Sequence, residues 1–216
     1  MTPRRDDRLY RLIRVVASAA LAPGFRREVH GAEKIPIDRS YVLLPKHQRW
    51  QDIPLLGLSL QKPLYFVAKQ ELFAYTVGDW FFKRLGGIPL NRQRPIESRR
   101  NLMRAVRLLE WGEGLVVFPE GTYYPGIVGP AKSGVVKFVL NRIDLPFIPV
   151  GIRYRREGLR TRAIVRFGAP QEAGPSETVK AFVDRLMAQI AQLSEMDSIT
   201  GSVPRATDPN TTGAPL

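Results

Sequence analysis

A chain of 216 residues can enclose one substantial core, and a make-up of 44% hydrophobic and 25% charged residues is that of a globular domain. The absence of cysteine excludes a disulfide framework, a cysteine-ligated metal and a cysteine acyl-enzyme. A net charge of +13 calls for an anionic partner, whether lipid headgroups, a phosphorylated metabolite, an acidic protein or nucleic acid, and does not choose among them.

No stretch reaches the ~18–20 apolar residues that span a bilayer. The nearest is RLYRLIRVVASAALAP, residues 8–23, which Arg14 interrupts and Pro23 closes. Arg8, Arg11 and Arg14 recur at close to a helical period, while Leu9, Leu12, Ile13, Val16 and Leu21 fill much of the remaining circumference. This reads either as a basic amphipathic helix lying in a membrane interface, or as an ordinary helix packed on the domain.

Short apolar runs rich in β-branched and aromatic residues then predict strands at Tyr41–Pro45, Leu64–Val67, Ile88–Asn91, Leu115–Phe118, Phe147–Ile152 and Ala163–Phe167. Helices are expected between them at Asp52–Leu60, at Glu71–Leu85 with an interruption at Gly78, at Glu97–Trp111 and at Gly134–Asn141. Within the second of these, the cluster Asp79-Trp80-Phe81-Phe82-Lys83-Arg84 has the composition of a membrane interface or of a core helix ending in solvated charges. Ser176 can cap a last helix that carries Val179, Phe182, Val183, Leu186, Ile190 and Leu193 on one face. Strands alternating with helices predict a single α/β domain, its sheet mixed but largely parallel and covered by helices. The expected organisation is an interface helix over residues 1–23, a catalytic domain over 24–196, and a polar tail over 197–216 that cannot bury enough apolar surface to order itself.

Four local patterns can carry chemistry. In KHQRWQDIP, His47 follows the first apolar strand and Asp52 opens the next helix. Inside one helix this offset would turn the two side chains ~140° apart. With His47 still in the loop, the chain can fold back so that the carboxylate holds one imidazole nitrogen and frees the other to take a proton. The alternative is a surface or capping pair. In LGGIPLNR a glycine pair leads a short strand ending at Arg92, a fork suited to phosphate or merely solvated. In VVFPEGTYY a buried strand runs into Pro119, Glu120, Gly121 and Thr122, where Glu120 is costly to bury unpaired unless the segment is an ordinary turn. The fourth, PFIPVGI, brackets a strand with prolines and says little alone.

In this order, H-x4-D, G-G-x-P-x-N-R, F-P-E-G-T and P-x-I-P-V-G-I resemble the four-block pattern of the glycerolipid acyltransferases, and within them the 1-acylglycerol-3-phosphate (lysophosphatidic acid), or PlsC-like, enzymes. The resemblance covers about residues 29–170 and includes HGAEKIP, AKQELF and the Lys132-Ser133-Gly134 step. It implies that His47 is the catalytic base and Asp52 its partner, that Arg92 holds the acceptor's phosphate, and that Glu120, Gly121 and Thr122 shape the acceptor site. It places Lys132 among the substrate-binding residues and Pro149 on the acyl-donor side. The implied reaction is direct attack of the acceptor hydroxyl on an acyl thioester, with acyl-coenzyme A or acyl carrier protein as co-substrate and neither bound cofactor nor metal. The implied partners are lysophosphatidic acid or another lysolipid and anionic membrane lipids, not nucleic acid, and the implied location is peripheral, on the cytoplasmic face of a membrane.

The chain departs from the family pattern at three positions. Lys46 stands where asparagine usually precedes the histidine, Arg49 where a small hydroxyl residue is common, and Tyr123 where E-G-T is usually followed by arginine. That charge then falls to Arg92, Lys46, Arg49 or Lys132, or the acceptor is a lyso-lipid without glycerol phosphate, such as a lyso-aminolipid. Two other classes compete. A non-catalytic basic protein binding membrane or nucleic acid fits the charge, though no nucleic-acid module is recognisable. A hydrolase lacks a G-x-S-x-G elbow, and GPAKSG at 129–134 lacks the Gly-Lys of a phosphate-binding loop.

Overall fold

The computed structural model describes residues 5–91 and 94–199. In chain order the elements are α1 (Asp7–Leu21), β1 (Phe25–His30), β2 (Tyr41–Pro45), α2 (Asp52–Ser59), β3 (Leu64–Lys69), α3 (Thr76–Arg84), β4 (Gly87–Leu90), α4 (Pro95–Glu110), β5 (Gly114–Val116), α5 (Gly134–Leu140), β6 (Phe147–Glu157), β7 (Arg160–Phe167) and α6 (Val179–Ser194). The strands form one sheet ordered β1-β7-β6-β2-β5-β3-β4, parallel at every step except β6 against β7. This is the mixed, largely parallel, helix-covered sheet that the sequence predicts.

β2 lies in the middle because every one of its residues, Tyr41–Pro45, is buried, as a parallel strand covered on both faces requires. Val42 and Leu44 face one core with Leu115, Phe147 and the apolar stripe of α6. Tyr41 and Leu43 face the other, with Leu56 of α2, Leu64, Val116, Ile148 and Val150. The parallel strands therefore end together along one edge, where loops and helix starts collect.

Several boundaries differ from expectation for local physical reasons. β1 is an edge strand of mostly charged sequence, FRREVH, without the apolar signature of a central one. The helix expected over Glu71–Leu85 is a 3-10 turn at Gln70–Phe73 followed by α3, with the break before Thr76 and Gly78 inside the helix. A Cβ at Gly78 would stand 2.9 Å from the Leu72 carbonyl oxygen, so the glycine allows close packing of the preceding turn. No residue of α3 is fully buried, which overturns its reading as a core helix; Trp80 is exposed and carries the Arg84 guanidinium 4.8 Å over its ring. Thr178, not Ser176, caps α6, its Oγ1 accepting from the Ala181 N–H at 3.2 Å.

α1 has two different sides. Tyr10 is buried and Arg14 donates to the Gln61 carbonyl at 2.8 Å, so that arginine is committed to the domain. Leu12, Val15 and Val16 stand exposed on the other side. Among the described residues no helix is long and apolar enough to cross a membrane. At the far end, Asp197 and Ile199 exchange backbone hydrogen bonds with Val128 at 2.9 Å each. The remainder of the expected tail, 200–216, lies outside the described residues.

Two expected outcomes test this packing. A Cβ at Gly151 would meet the Leu193 carbonyl carbon at 2.4 Å, so Gly151→Ala must push the last turn of α6 off β6. Urea unfolding should show a loss of about 1–3 kcal/mol. Burial pushes the Tyr41 phenol up to about 12, above its unfolded value near ~10. The stability this contributes is complete below pH ~10 and falls as pH rises towards 12, by up to about 1.4 kcal/mol per unit. Unfolding measured between pH 9 and 11 should therefore depend less on pH in Tyr41→Phe.

Candidate active site

After β2 ends at Pro45, the chain turns over the strand-end edge and re-enters helix at Asp52, the first residue of α2. The turn closes on the Asp52 carboxylate. Its Oδ2 lies 3.0 Å from His47 Nδ1 and accepts the backbone N–H groups of Gln48 at 2.5 Å and Arg49 at 2.8 Å. Asp52 is fully buried and the His47 side chain is 11% exposed, so the carboxylate is inside and the imidazole opens outward. Asp52 accepting from Nδ1–H leaves Nε2 with its lone pair, and among the described residues Nε2 has no hydrogen-bond partner. Phe118 stacks on the ring with centroids 3.9 Å apart, and Tyr123 meets it edge-on at 4.4 Å.

A second buried charge pair fixes the backbone on which His47 rides. Lys46 Nζ donates to both Glu120 oxygens at 2.8 and 3.0 Å, to the His47 carbonyl at 3.0 Å and to the Tyr124 carbonyl at 2.7 Å. Glu120 in turn accepts the N–H groups of His47 and Gly129, both at 2.7 Å. Burial pulls the Lys46 ammonium down from its ordinary range, and the hydrogen bond and charge of Glu120 oppose that. Three donors and four acceptors consume the ammonium entirely, so Lys46 does not supply a substrate charge. Glu120 is equally enclosed, at 1% exposure. Its contacts are with Lys46 and with the backbone of the two loops.

The other expected residues are spread more widely. Gly121 takes φ +64° in the turn that follows Glu120, and Thr122 is half-buried beside it. Lys132 is exposed beyond the turn, its backbone N–H bonded to the Pro119 carbonyl at 2.8 Å. Pro149 is buried within β6, its ring against Gly168, and so belongs to the packing of the sheet. Arg92 lies outside the described residues. Arg49 holds its guanidinium 4.1 Å over the Tyr154 ring.

Local patterns gave no hint of two participants. The Tyr154 hydroxyl donates to Asp52 Oδ1 at 2.5 Å, across 102 positions. Burial first, and then the Asp52 charge, hold that phenol protonated well above the ordinary tyrosine range. Gln48 is buried, donating to the Ile152 carbonyl at 2.7 Å and accepting from the Gly126 N–H at 3.1 Å, so that it ties the histidine loop to both neighbouring segments.

Two hollows adjoin this edge. An apolar cavity of about 180 Å³ lies between α1, α2, α3 and the sheet, walled by Ile13, Ile53, Leu56, Phe66, Phe82 and Phe118. Phe118 is therefore both cavity wall and stacking partner of His47. A wider groove of about 800 Å³ runs past the ends of β3 and β4, lined by Lys69, Gln70, Asn91, Arg94 and Glu97.

Comparison with known proteins matches these features. The sequence model of the acyltransferase family fits residues 26–153. A chloroplastic 1-acyl-sn-glycerol-3-phosphate acyltransferase of Brassica napus is 31% identical over 136 residues, 62% of this chain and 39% of that protein. A lyso-ornithine lipid O-acyltransferase of Pseudomonas aeruginosa is 33% identical over 113 residues, 52% of this chain and 43% of that protein. The crystal structure of PlsC, the 1-acyl-sn-glycerophosphate acyltransferase of Thermotoga maritima, superposes with a TM-score of 0.63 at 25% identity, covering 85% of this chain and 79% of that one. The chain spans between 33% and 65% of the length of the first curated relatives it matches. With the family model covering more than half of its residues, including the His47–Asp52 pair, the chain belongs to the acyltransferase family.

Proposed function

We propose that this protein moves a fatty acyl group from an acyl thioester to the free hydroxyl of 1-acyl-sn-glycerol 3-phosphate, giving phosphatidic acid. The observation that carries this reading is the 3.0 Å contact between His47 Nδ1 and a buried Asp52, with Nε2 left on the open side. His47 Nε2 takes the proton of the acceptor hydroxyl as its oxygen attacks the thioester carbonyl. The tetrahedral intermediate collapses by breaking the carbon–sulfur bond, and the proton passes to the leaving thiolate. Asp52 holds the ring orientation and stabilises the transient imidazolium. No covalent enzyme intermediate is involved, in keeping with a chain without cysteine.

The apolar cavity that ends at Phe118 is suited to a fatty chain, because its reactive end would lie beside the imidazole. The groove beyond β3 and β4 lies two to three strand spacings from β2, roughly 10–14 Å. Lys69 and Arg94 line it, so it is the side on which a phosphate would be held, and Arg92 is the residue that the family resemblance assigns to that phosphate. The donor is acyl-coenzyme A or acyl carrier protein, both anionic and both attracted by the net charge of +13. Residues 24–196 form the catalytic body in this reading, and residues 1–23 a contact to anionic lipid at the cytoplasmic face of a membrane. Exposed Leu12, Val15 and Val16 on α1, and Tyr75, Val77 and Trp80 at α3, support that placement.

One observation favours a second acceptor, a lyso-aminolipid. Tyr123, neutral and aromatic, stands 4.4 Å from the His47 ring where the family commonly has arginine, and one relative is named for lyso-ornithine lipid. Two measurements test these readings. His47→Ala should lower turnover by at least about 10²–10⁴-fold with an unchanged circular dichroism spectrum; a folded variant with near-normal turnover would exclude the general-base reading. With purified protein, labelled acyl thioester and a panel of lysolipids, product from lysophosphatidate alone supports the first acceptor. If lyso-aminolipid is acylated instead, Tyr123→Arg should move preference towards lysophosphatidate by roughly 10-fold, the worth of one charge-assisted contact.

A further inference from the structure

The two oxygens of the Asp52 carboxylate are held unequally. Oδ2 receives His47 Nδ1 and two backbone N–H groups, whereas among the described residues Oδ1 receives a single donor, the Tyr154 hydroxyl. We propose that Tyr154 is a positioning residue for the acyl-transfer site, holding Oδ1 so that Oδ2 keeps the imidazole aimed at the acceptor. This rests on the general-base reading of His47 above.

The carboxylate is fully buried, so an Oδ1 without a donor would stand desolvated. Without the phenol, Oδ1 would keep its full negative charge beside the imidazole, and the carboxylate would lose the donor that fixes its plane. The phenol fixes that plane because it is itself immobilised. Its ring lies on β6, edge-on to Phe25 at 6.2 Å, with the Arg49 guanidinium 4.1 Å above it. Arg49 thus grips both members: its backbone N–H holds Oδ2, and its side chain covers the tyrosine that holds Oδ1. The phenol remains a donor across the neutral range, since burial and the adjacent carboxylate oppose its ionisation. The other charges facing the group are the Lys46–Glu120 pair and Arg49 itself, and the variants below leave them unaltered.

A packing role and a positioning role give different pH profiles. In Tyr154→Phe of the full chain, assayed with acyl thioester and lysolipid, kcat should fall by about 10–100-fold while KM stays within about threefold, as loss of one hydrogen bond to a charged group implies. The Asp52 charge, less satisfied at Oδ1, would pull harder on the imidazolium, so the acid limb of kcat/KM should move to higher pH. Replacement of Tyr154 by 3,5-difluorotyrosine keeps the shape and strengthens the donor, and should move the same limb to lower pH. Opposite displacements by the two variants support the proposal. An unmoved limb in both, or displacement in one direction by both, overturns it while His47→Ala remains inactive. If Tyr154→Phe does not fold, the difluorotyrosine protein decides alone: an unmoved limb overturns the proposal. An active His47→Ala removes the base, and this inference with it.

Discussion

A carboxylate at the end of an apolar strand has to be met by something, and the architecture of this site follows from how Glu120 is met. Removing both charges of the Lys46–Glu120 pair from water costs several kcal/mol per ion, so the pair contributes little net stability. Its contribution is geometric. The four hydrogen bonds that reach Glu120 come from Lys46, from the His47 backbone and from Gly129, and so join the two loops at one point. Satisfying the acid therefore draws the loop after β2 against the loop after β5. The histidine is located as a by-product.

The strand order supplies the rest. β2 sits between β5 and β6, and each neighbour delivers part of the surroundings of His47. The segment after β5 brings Phe118, Glu120 and Tyr123, and β6 brings the Ile152 carbonyl and Tyr154. Imidazole, carboxylate and aromatic walls thus come from strands that end along a common edge, where parallel α/β sheets usually place their reacting groups. Close approach of α6 at Gly151 packs a helix far from His47 in sequence against β6, three residues before Tyr154.

Much of this could be read from residues in a row. YVLLP reads as a strand because it is a short apolar run, and the His47–Asp52 spacing is interpretable because a loop and a helix start are local objects. The limits were equally physical. Lys46 looks like a solvated charge until its acid, 74 positions away, is known. Tyr154 lies in a run of arginines that gives no sign of a carboxylate partner 102 positions earlier. β1 escaped because an edge strand need not be apolar, and the break before α3 because the obvious glycine, Gly78, serves packing instead of interruption. Pairings across a sheet are decided by topology, which no local window contains.

Phe118 stacks on the imidazole and also walls the apolar hollow. Any redesign that trims this ring to admit a bulkier tail also unseats the stacked histidine, so breadth of substrate and speed would trade against each other at this one position. Phe82 and Leu85, which line the hollow among residues remote from the dyad in the chain, offer places where depth can be altered with the base left undisturbed.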